Sequence, residues 1–288
     1  MNGVTLIHVP YHLGHERVGM GAGPDALVDG GLVDALEAAG SAVEVVRVVR
    51  RDEETNEVGA SFAVLREVAG HARAAVARGD LPLALAANCM TSLALVAAAR
   101  REVGVVWFDA HADFNTSETT MSGFADGMGL SILTGTGWDA LRATIPGYRP
   151  VPDDRVVLVG ARDVDAAEEE RLRTSRVIVV PPDGLDRLER ALDAVRERVS
   201  EVYVHLDLDV LDPREGRANE YAAAGGLSAD ELERALDAVA ARFEIAGASF
   251  TAYDPAVDPD GRIPGVANRL VPRVAAAGRH ADADAVTA

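Results

Sequence analysis

Two short acidic segments are notable because each follows an apolar run and carries carboxylates at alternate positions. The first reads WFDAHADFN and the second reads HLDLDVLDP. Alternate residues of an extended chain share a side, so Asp109, His111 and Asp113 are expected to project together. Asp207 and Asp209 share a face in the same way. Such a cluster is costly unless a cation compensates its charge, so the pattern predicts a metal site.

Each segment alone has a simpler explanation, since aspartates commonly cap helices and stabilise turns. Together the segments supply four carboxylates and a histidine, an oxygen-rich donor set that favours Mn²⁺ or a similar hard ion over structural zinc. Two ions that share carboxylates lie about 3.5–4 Å apart and lower the pKa of water toward neutrality. The predicted chemistry is therefore metal-assisted hydrolysis.

Strands that end at one edge of a sheet would bring these segments together. Eight apolar, often β-branched runs predict buried strands at 4–9, 43–48, 81–87, 105–110, 155–160, 177–180, 202–210 and 245–253. Amphipathic stretches predict helices at 59–78, 184–199 and 228–242, and Ser228 and Glu231 have the spacing of a capping box. The alternation predicts an α/β fold with a mostly parallel sheet that helices cover on both faces. Such sheets place their sites at the carboxyl ends of the strands.

Length, composition and charge limit the possible classes. We expect a single domain over residues 1–288, with about 278–288 as a flexible tail. The net charge of −18 opposes binding to nucleic acid or anionic membranes, and it suits either a cationic substrate or solubility alone. No run approaches the roughly 20 apolar residues of a membrane span. A single cysteine, Cys89, and an N-terminus without signal-peptide features lead us to expect a cytoplasmic protein, whose oligomeric state stays open.

The segments DAHADFN and HLDLDVLDP resemble the two metal motifs of the arginase, agmatinase and formiminoglutamase superfamily. The resemblance extends over nearly the whole chain in the same order. It implies a three-layer α/β/α arginase-like fold with an eight-stranded sheet, and two manganese ions. The implied ligands of the two ions are Cys89, Asp109, Asp113 and Asp207 for the first, and Asp109, His111, Asp207 and Asp209 for the second.

The resemblance also implies residues that bind the substrate. Asn115 and Ser122 correspond to residues that hold the α-carboxylate of an amino acid, and Asp163 and Asp165 to carboxylates that organise recognition of its α-amino group. The combination indicates an α-amino acid, although turn or capping roles stay open for these residues. Asp254, in TAYDPAVDP, stands where the family carries a glutamate that binds guanidinium.

Two positions depart from the family pattern. Cys89, in AANCMTS, takes the place of a histidine ligand of the first ion, and a softer thiolate is expected to hold manganese less tightly. A small buried cysteine without a metal role is the alternative. Asp126, in SGFADG, replaces the histidine that arginases use for proton transfer to the leaving amine.

These departures are similar to one branch of the superfamily, the Nω-hydroxy-L-arginine hydrolase of D-cycloserine biosynthesis, which carries cysteine at the same place. The resemblance implies that activated water attacks the guanidino carbon and releases hydroxyurea and L-ornithine. In this scheme Asp113 accepts a proton, Asp126 donates one and Asp254 pairs with the guanidino group. The alternatives are hydrolysis of L-arginine or another guanidino acid, or a metal-poor relative that binds a ligand without turnover.

Three further histidines are weighed against the site. His12 and His15 follow the first predicted strand and border the site, but surface positions are the simpler interpretation. His205 is expected one step deeper than Asp207, in the core or behind the metal ligands.

Overall fold

The centre of the protein is an eight-stranded parallel sheet in the computed structural model, which describes residues 3–278. In chain order the strands are β1 (Val4–Val9), β2 (Tyr11–His12), β3 (His15–Glu16), β4 (Val43–Arg47), β5 (Leu81–Ala86), β6 (Gly104–Phe108), β7 (Val156–Val159), β8 (Ile178–Val180), β9 (Glu201–Asp207) and β10 (Glu244–Thr251). The sheet order is β4-β1-β5-β10-β9-β6-β7-β8, and β2 pairs with β3 in a separate antiparallel hairpin. The predicted α/β fold and all eight predicted sheet strands are confirmed.

Helices occupy most of the connections between strands. They are α1 (Gly23–Asp29), α2 (Leu32–Ala38), α3 (Glu57–Arg78), α4 (Thr91–Ala98), α5 (Gly129–Leu133), α6 (Asp139–Arg142), α7 (Ala166–Thr174), α8 (Leu188–Arg196), α9 (Ala229–Ala240) and α10 (Arg262–Ala277). The predicted capping box begins α9, where Ser228 N donates to Glu231 Oε2 at 2.9 Å and Glu231 N to Ser228 Oγ at 3.3 Å.

Apolar layers cover both faces of the sheet because alternate strand residues point to opposite sides. Leu6 packs in the layer that includes side chains of α1, α2, α8, α9 and α10. Its neighbour Ile7 packs in the layer that includes side chains of α3, α4 and α5. Burying an aliphatic side chain of this size contributes about 1.5–3 kcal/mol, so these layers keep the strand ends in fixed positions.

The four central strands, β5, β10, β9 and β6, bring the unusual residues to one edge. Two details differ from the sequence expectation. Strand β9 ends at Asp207, and Asp209 lies in the 3₁₀ turn that follows, where its N–H donates to Asp207 Oδ1 at 2.9 Å. Strand β6 ends at Phe108, and Asp113 has a left-handed backbone (φ 49°), so strict alternation does not continue through the first motif.

The end of the described chain is helical. Helix α10 finishes at Ala277, and Gly278 N donates to Val274 O at 3.2 Å. The rest of the expected tail, residues 279–288, lies outside the described residues. Among the helices of residues 3–278, none combines the length and the apolar character that crossing a membrane requires.

Candidate functional site

A cavity of about 590 Å³ opens at the carboxyl edge of the central strands. Its lining is strongly acidic, and the described residues that line it include neither lysine nor arginine. The acidic lining residues are Glu57, Asp113, Asp126, Asp163, Asp165, Glu168, Asp207 and Asp209. A cavity with this charge favours a cationic ligand.

The loop after β5 places Cys89 against the end of β9. Its thiol donates to Asp207 Oδ2 at 3.1 Å and lies 3.6 Å from Thr251 Oγ1. One ligand atom each from Cys89, Asp109, His205 and Asp207 lies within 4.8 Å of the others, and all four residues are buried. Burial and the surrounding carboxylates raise the pKa of Cys89 well above its usual value. Three of the four residues expected at the first metal site, Cys89, Asp109 and Asp207, thus lie together, and the fourth member of the group is His205 rather than Asp113.

A second group lies beside the first. One ligand atom each from Asp109, His111 and Asp209 lies within 4.8 Å of the others, and His111 Nδ1 is 3.4 Å from both Asp109 Oδ1 and Asp209 Oδ2. Although burial opposes the imidazolium, the hydrogen bonds with these two carboxylates raise the pKa of His111 to about 12. Burial disfavours the charged form of Asp209, but the hydrogen bond from His111 has the larger net effect and lowers the pKa of Asp209 to about 2. The pair is held together by charge.

The remaining acids of the cluster have excess negative charge around them. Burial and repulsion from Asp209 and Asp109 raise the pKa of Asp207 well above its usual value. Burial and repulsion from Asp109 and Asp126 also raise the pKa of Asp113 well above its usual value. The buried Oδ2 of Asp113 has no hydrogen-bond partner within the described residues. Oxygen-rich donors, an unpartnered carboxylate oxygen and charge repulsion together fit divalent cations.

Asp126 is held close to the metal groups. Asn88 Nδ2 donates to its Oδ2 at 2.8 Å and Met90 N donates to its Oδ1 at 3.1 Å. The carboxyl is 3% exposed, and burial raises its pKa. It therefore lines the cavity in a fixed orientation, as expected from the sequence.

The predicted substrate-binding residues form the outer part of the cavity. Asn115 Nδ2 donates to Asp165 Oδ2 at 3.1 Å, and Thr119 Oγ1 donates to Asn115 Oδ1 at 2.9 Å. Ser122 and Asp163 also line the cavity, and both are exposed. Asp165 is also the N-cap of α7, so the capping role and a place in the cavity coexist. The structure thus brings all four predicted residues to one opening.

Asp254 does not lie with the others. It is not among the residues that line the cavity, and its Oδ1 accepts a hydrogen bond from Ala256 N at 2.9 Å. Strand β10 ends at Thr251, and the chain turns at Ala252, which has a left-handed backbone (φ 62°) and is the residue that lines the cavity. The structure therefore does not support the contact expected between Asp254 and a guanidino group, because the turn directs a different residue inward.

Sequence reasoning missed several polar residues of the site. Glu168 lines the cavity and accepts from Phe114 N at 2.9 Å and Asp165 N at 3.1 Å; the capping-box spacing from Asp165 was a usable signal. Asn219 Nδ2 donates to Asp209 Oδ2 at 3.0 Å and to Ala252 O at 2.9 Å. No pattern in the sequence indicates a role for Asn219.

His12 is less exposed than the surface interpretation suggested. Its Nε2 is buried without a hydrogen-bond partner among the described residues, and its ring meets Phe124 edge-on at 6.1 Å. His15 is exposed, as expected.

Comparisons with known proteins identify the class. The model of the arginase family matches residues 2–276. The solved structure of arginase from Bacillus caldovelox superposes with a TM-score of 0.85 at 29% identity, over 95% of this chain and 98% of that chain. Fold and acidic site together define a hydrolase with an arginase-like α/β architecture.

Sequence comparison gives the family. An arginase of Bacillus caldovelox is 32% identical over 293 residues, which cover 94% of this chain and 97% of the relative. The chain belongs to the arginase family. It is also similar to the N(omega)-hydroxy-L-arginine amidinohydrolase of Streptomyces lavendulae, with 37% identity over 168 residues, 57% of this chain and 58% of the relative.

Proposed function

We propose that the protein hydrolyses the guanidino group of an arginine-like amino acid, and that the substrate is Nω-hydroxy-L-arginine, which yields hydroxyurea and L-ornithine. The observation that carries the proposal is that two groups of possible metal ligands lie at a cavity whose described lining includes eight acidic residues and neither lysine nor arginine. The names of the similar proteins, arginase and N(omega)-hydroxy-L-arginine amidinohydrolase, support the reaction class.

The proposed metal ligands are residues of the two clusters together with one carboxylate of the cavity wall, and Mn²⁺ is the proposed ion. The cluster residues are Cys89, Asp109, His111, Asp207 and Asp209, and the cavity-wall carboxylate is that of Asp113. Divalent cations bound here supply Lewis acidity and make water acidic enough to react as a nucleophile near neutral pH.

The protein's own groups orient the substrate and move protons. Asp113 has an unpartnered Oδ2 at the cavity wall, so it is the proposed acceptor of a proton from the attacking water. Asp126, held by Asn88 and Met90, is the proposed proton donor to the leaving amine of ornithine. In the outer cavity, Asn115 and Asp165 would hold the amino-acid end of the substrate.

Two features favour the hydroxylated substrate over L-arginine. An electronegative oxygen makes a hydroxyguanidine less basic than a guanidine, so a carboxylate partner contributes less to its binding. Consistent with this, the cavity wall carries the methyl group of Ala252, and the Asp254 carboxylate is turned to its own backbone. Asp126 also stands at a position where the resemblance implies a histidine proton shuttle, which a less basic substrate needs less.

A competition of substrates tests the proposal. The Mn²⁺-loaded protein is given Nω-hydroxy-L-arginine or L-arginine, and ornithine, hydroxyurea and urea are quantified. We expect kcat/KM for the hydroxylated substrate to exceed that for L-arginine by at least about tenfold, a difference of roughly 1.4 kcal/mol. Equal or faster turnover of L-arginine would establish an arginase instead. Absence of ornithine from both substrates would overturn the proposed hydrolysis.

A matched pair of variants links product formation to the site. Asp109→Asn removes charge from the residue common to both metal groups, whereas Asp186→Asn removes the charge of an exposed residue that does not line the cavity. Only the first variant is expected to lose product formation.

A further inference from the structure

We infer that His205 is a metal ligand, and that the first metal site consists of the Cys89 thiolate, the His205 imidazole and the carboxylates of Asp109 and Asp207. Neither the metal motifs nor the resemblance assigns His205 this role. The inference rests on the proposed metal centre, but it does not depend on which substrate is hydrolysed.

Proximity and an unsatisfied ring nitrogen are the first observations. A donor atom of His205 lies within 4.8 Å of donor atoms of Cys89, Asp109 and Asp207. The side chain has no solvent exposure, yet Nε2 has no hydrogen-bond partner within the described residues. Burial of an unpaired polar atom is unfavourable, and a metal ion beside it removes the penalty.

Contacts around the ring fix its orientation. His205 Nδ1 lies 3.0 Å from Ser249 Oγ, which is itself 2.6 Å from Tyr203 Oη. The ring stacks on Trp107 with centroids 3.7 Å apart and an angle of 25° between the planes. Trp107 Nε1 in turn donates to Asp109 Oδ2 at 3.0 Å. Metal-binding histidines commonly have their second nitrogen held by a hydrogen bond in this way.

The hydrogen bond at Nδ1 is compatible with ligation through the other ring nitrogen. When Nδ1–H donates to Ser249 Oγ, the lone pair lies on Nε2, the nitrogen without a partner.

The donor set distinguishes the two metal sites. Sulfur, nitrogen and two oxygens form a softer site that favours Zn²⁺, Co²⁺ or Fe²⁺ over Mn²⁺. The second group, Asp109, His111 and Asp209, has only oxygen and nitrogen donors. We therefore expect the first site to bind a thiophilic ion more tightly than Mn²⁺, in agreement with the weaker manganese binding expected from Cys89.

Cobalt titration of the full chain tests the assignment. Cys89 is the single cysteine, so a thiolate-to-cobalt charge-transfer band in the near ultraviolet reports the first site alone. We expect wild type to show the band and Cys89→Ser to lack it. His205→Gln should bind Co²⁺ at this site at least about tenfold more weakly, with a changed visible ligand-field spectrum. His71→Gln, on α3, is the matched control and should behave as wild type.

A second variant provides a test if His205→Gln does not fold. Ser249→Ala keeps the imidazole but removes the partner of Nδ1, so it should also weaken cobalt binding, by less than His205→Gln. Wild-type cobalt affinity and spectrum in His205→Gln would overturn the inference and leave the proposed hydrolase intact. If His205→Gln does not fold, wild-type behaviour of Ser249→Ala overturns it. A wild-type protein that binds no divalent ion would contradict the metal centre of the proposed function as well.

Discussion

The inner and outer parts of the cavity are built in contrasting ways. In the inner part, Asp109, Asp207 and Asp209 are at most 3% exposed and lie within a few ångströms of one another. In the outer part, Asp163 and Asp165 are exposed to solvent. Water stabilises the outer carboxylates, whereas the inner ones depend on His111 and on bound cations.

Because of this difference, we expect the inner residues to act in the reaction and the outer residues to bind the substrate. Without cations the repulsion among the inner carboxylates is not compensated. The members of the inner cluster therefore act as a unit, and loss of one affects all the others. The outer residues have partners of their own, such as the hydrogen bond between Asn115 and Asp165. Their loss should weaken substrate binding and leave the reaction step nearly intact. Substitutions in the inner region should therefore lower kcat, and those in the outer region should raise KM.

The largest effect is expected for Asp207→Ala. This residue contacts Cys89, and its Oδ1 accepts from Asp209 N, so the change disturbs both metal groups. Turnover should fall by more than roughly 1,000-fold, with metal content reduced. Product assays and metal analysis on the same preparation measure both effects. Substantial turnover in this variant would argue against a two-metal site.

A smaller loss is expected for Asp126→Asn. A proton donor contributes about 10²- to 10⁴-fold, so kcat should fall within this range while both metal ions stay bound. Asp254→Asn is the informative partner, because Asp254 is not among the residues that line the cavity and its Oδ1 accepts a hydrogen bond from Ala256 N. Its kcat/KM should stay within about threefold of wild type. A loss as large as that of Asp126→Asn would restore the guanidino-binding role expected from the sequence.

Variants of the outer cavity should act mainly on KM. Asp165→Asn and Asn115→Ala each remove a polar contact of the amino-acid end, worth about 1.5 kcal/mol, which corresponds to roughly a tenfold rise in KM. Steady-state kinetics with the preferred substrate separate KM from kcat. A thousandfold fall in kcat with unchanged KM would mean that the outer residues belong to the chemical step.

The smallest predicted effect is on thermal stability. Cations neutralise the repulsion that raises the pKa of Asp113 and Asp207, so saturating Mn²⁺ should raise Tm by about 5–10 °C. Scanning calorimetry before and after chelation measures the shift. An unchanged Tm would indicate that the cluster does not bind the ion in the folded protein.

The sequence predicted the sheet and the inner cluster because both follow from short-range patterns. Apolar runs identified the strands, and the spacing of Asp109, His111 and Asp113 identified the cluster even though the backbone turns at Asp113. The convergence of Cys89 with Asp207, 118 positions apart, required the family resemblance as well.

Turns after strand ends were harder to predict. The sequence did not predict that Ala252, which has a left-handed backbone, lines the cavity at the end of β10 while Asp254 does not. His205 was expected in the core and is buried there, but its unpartnered nitrogen depends on contacts between strands that a single sequence does not reveal. The hydrogen bonds of Asn219 depend on long-range contacts in the same way.

The number of metal ions bound per chain shows whether the inner cluster is a two-metal site. The protein is freed of metal, dialysed to equilibrium against Mn²⁺, and its bound manganese is counted per chain. We expect two ions per wild-type chain, held by the two groups that share Asp109, and fewer in Asp109→Ala. A wild-type chain that stays below one ion at saturating Mn²⁺ would rule out the two-metal site.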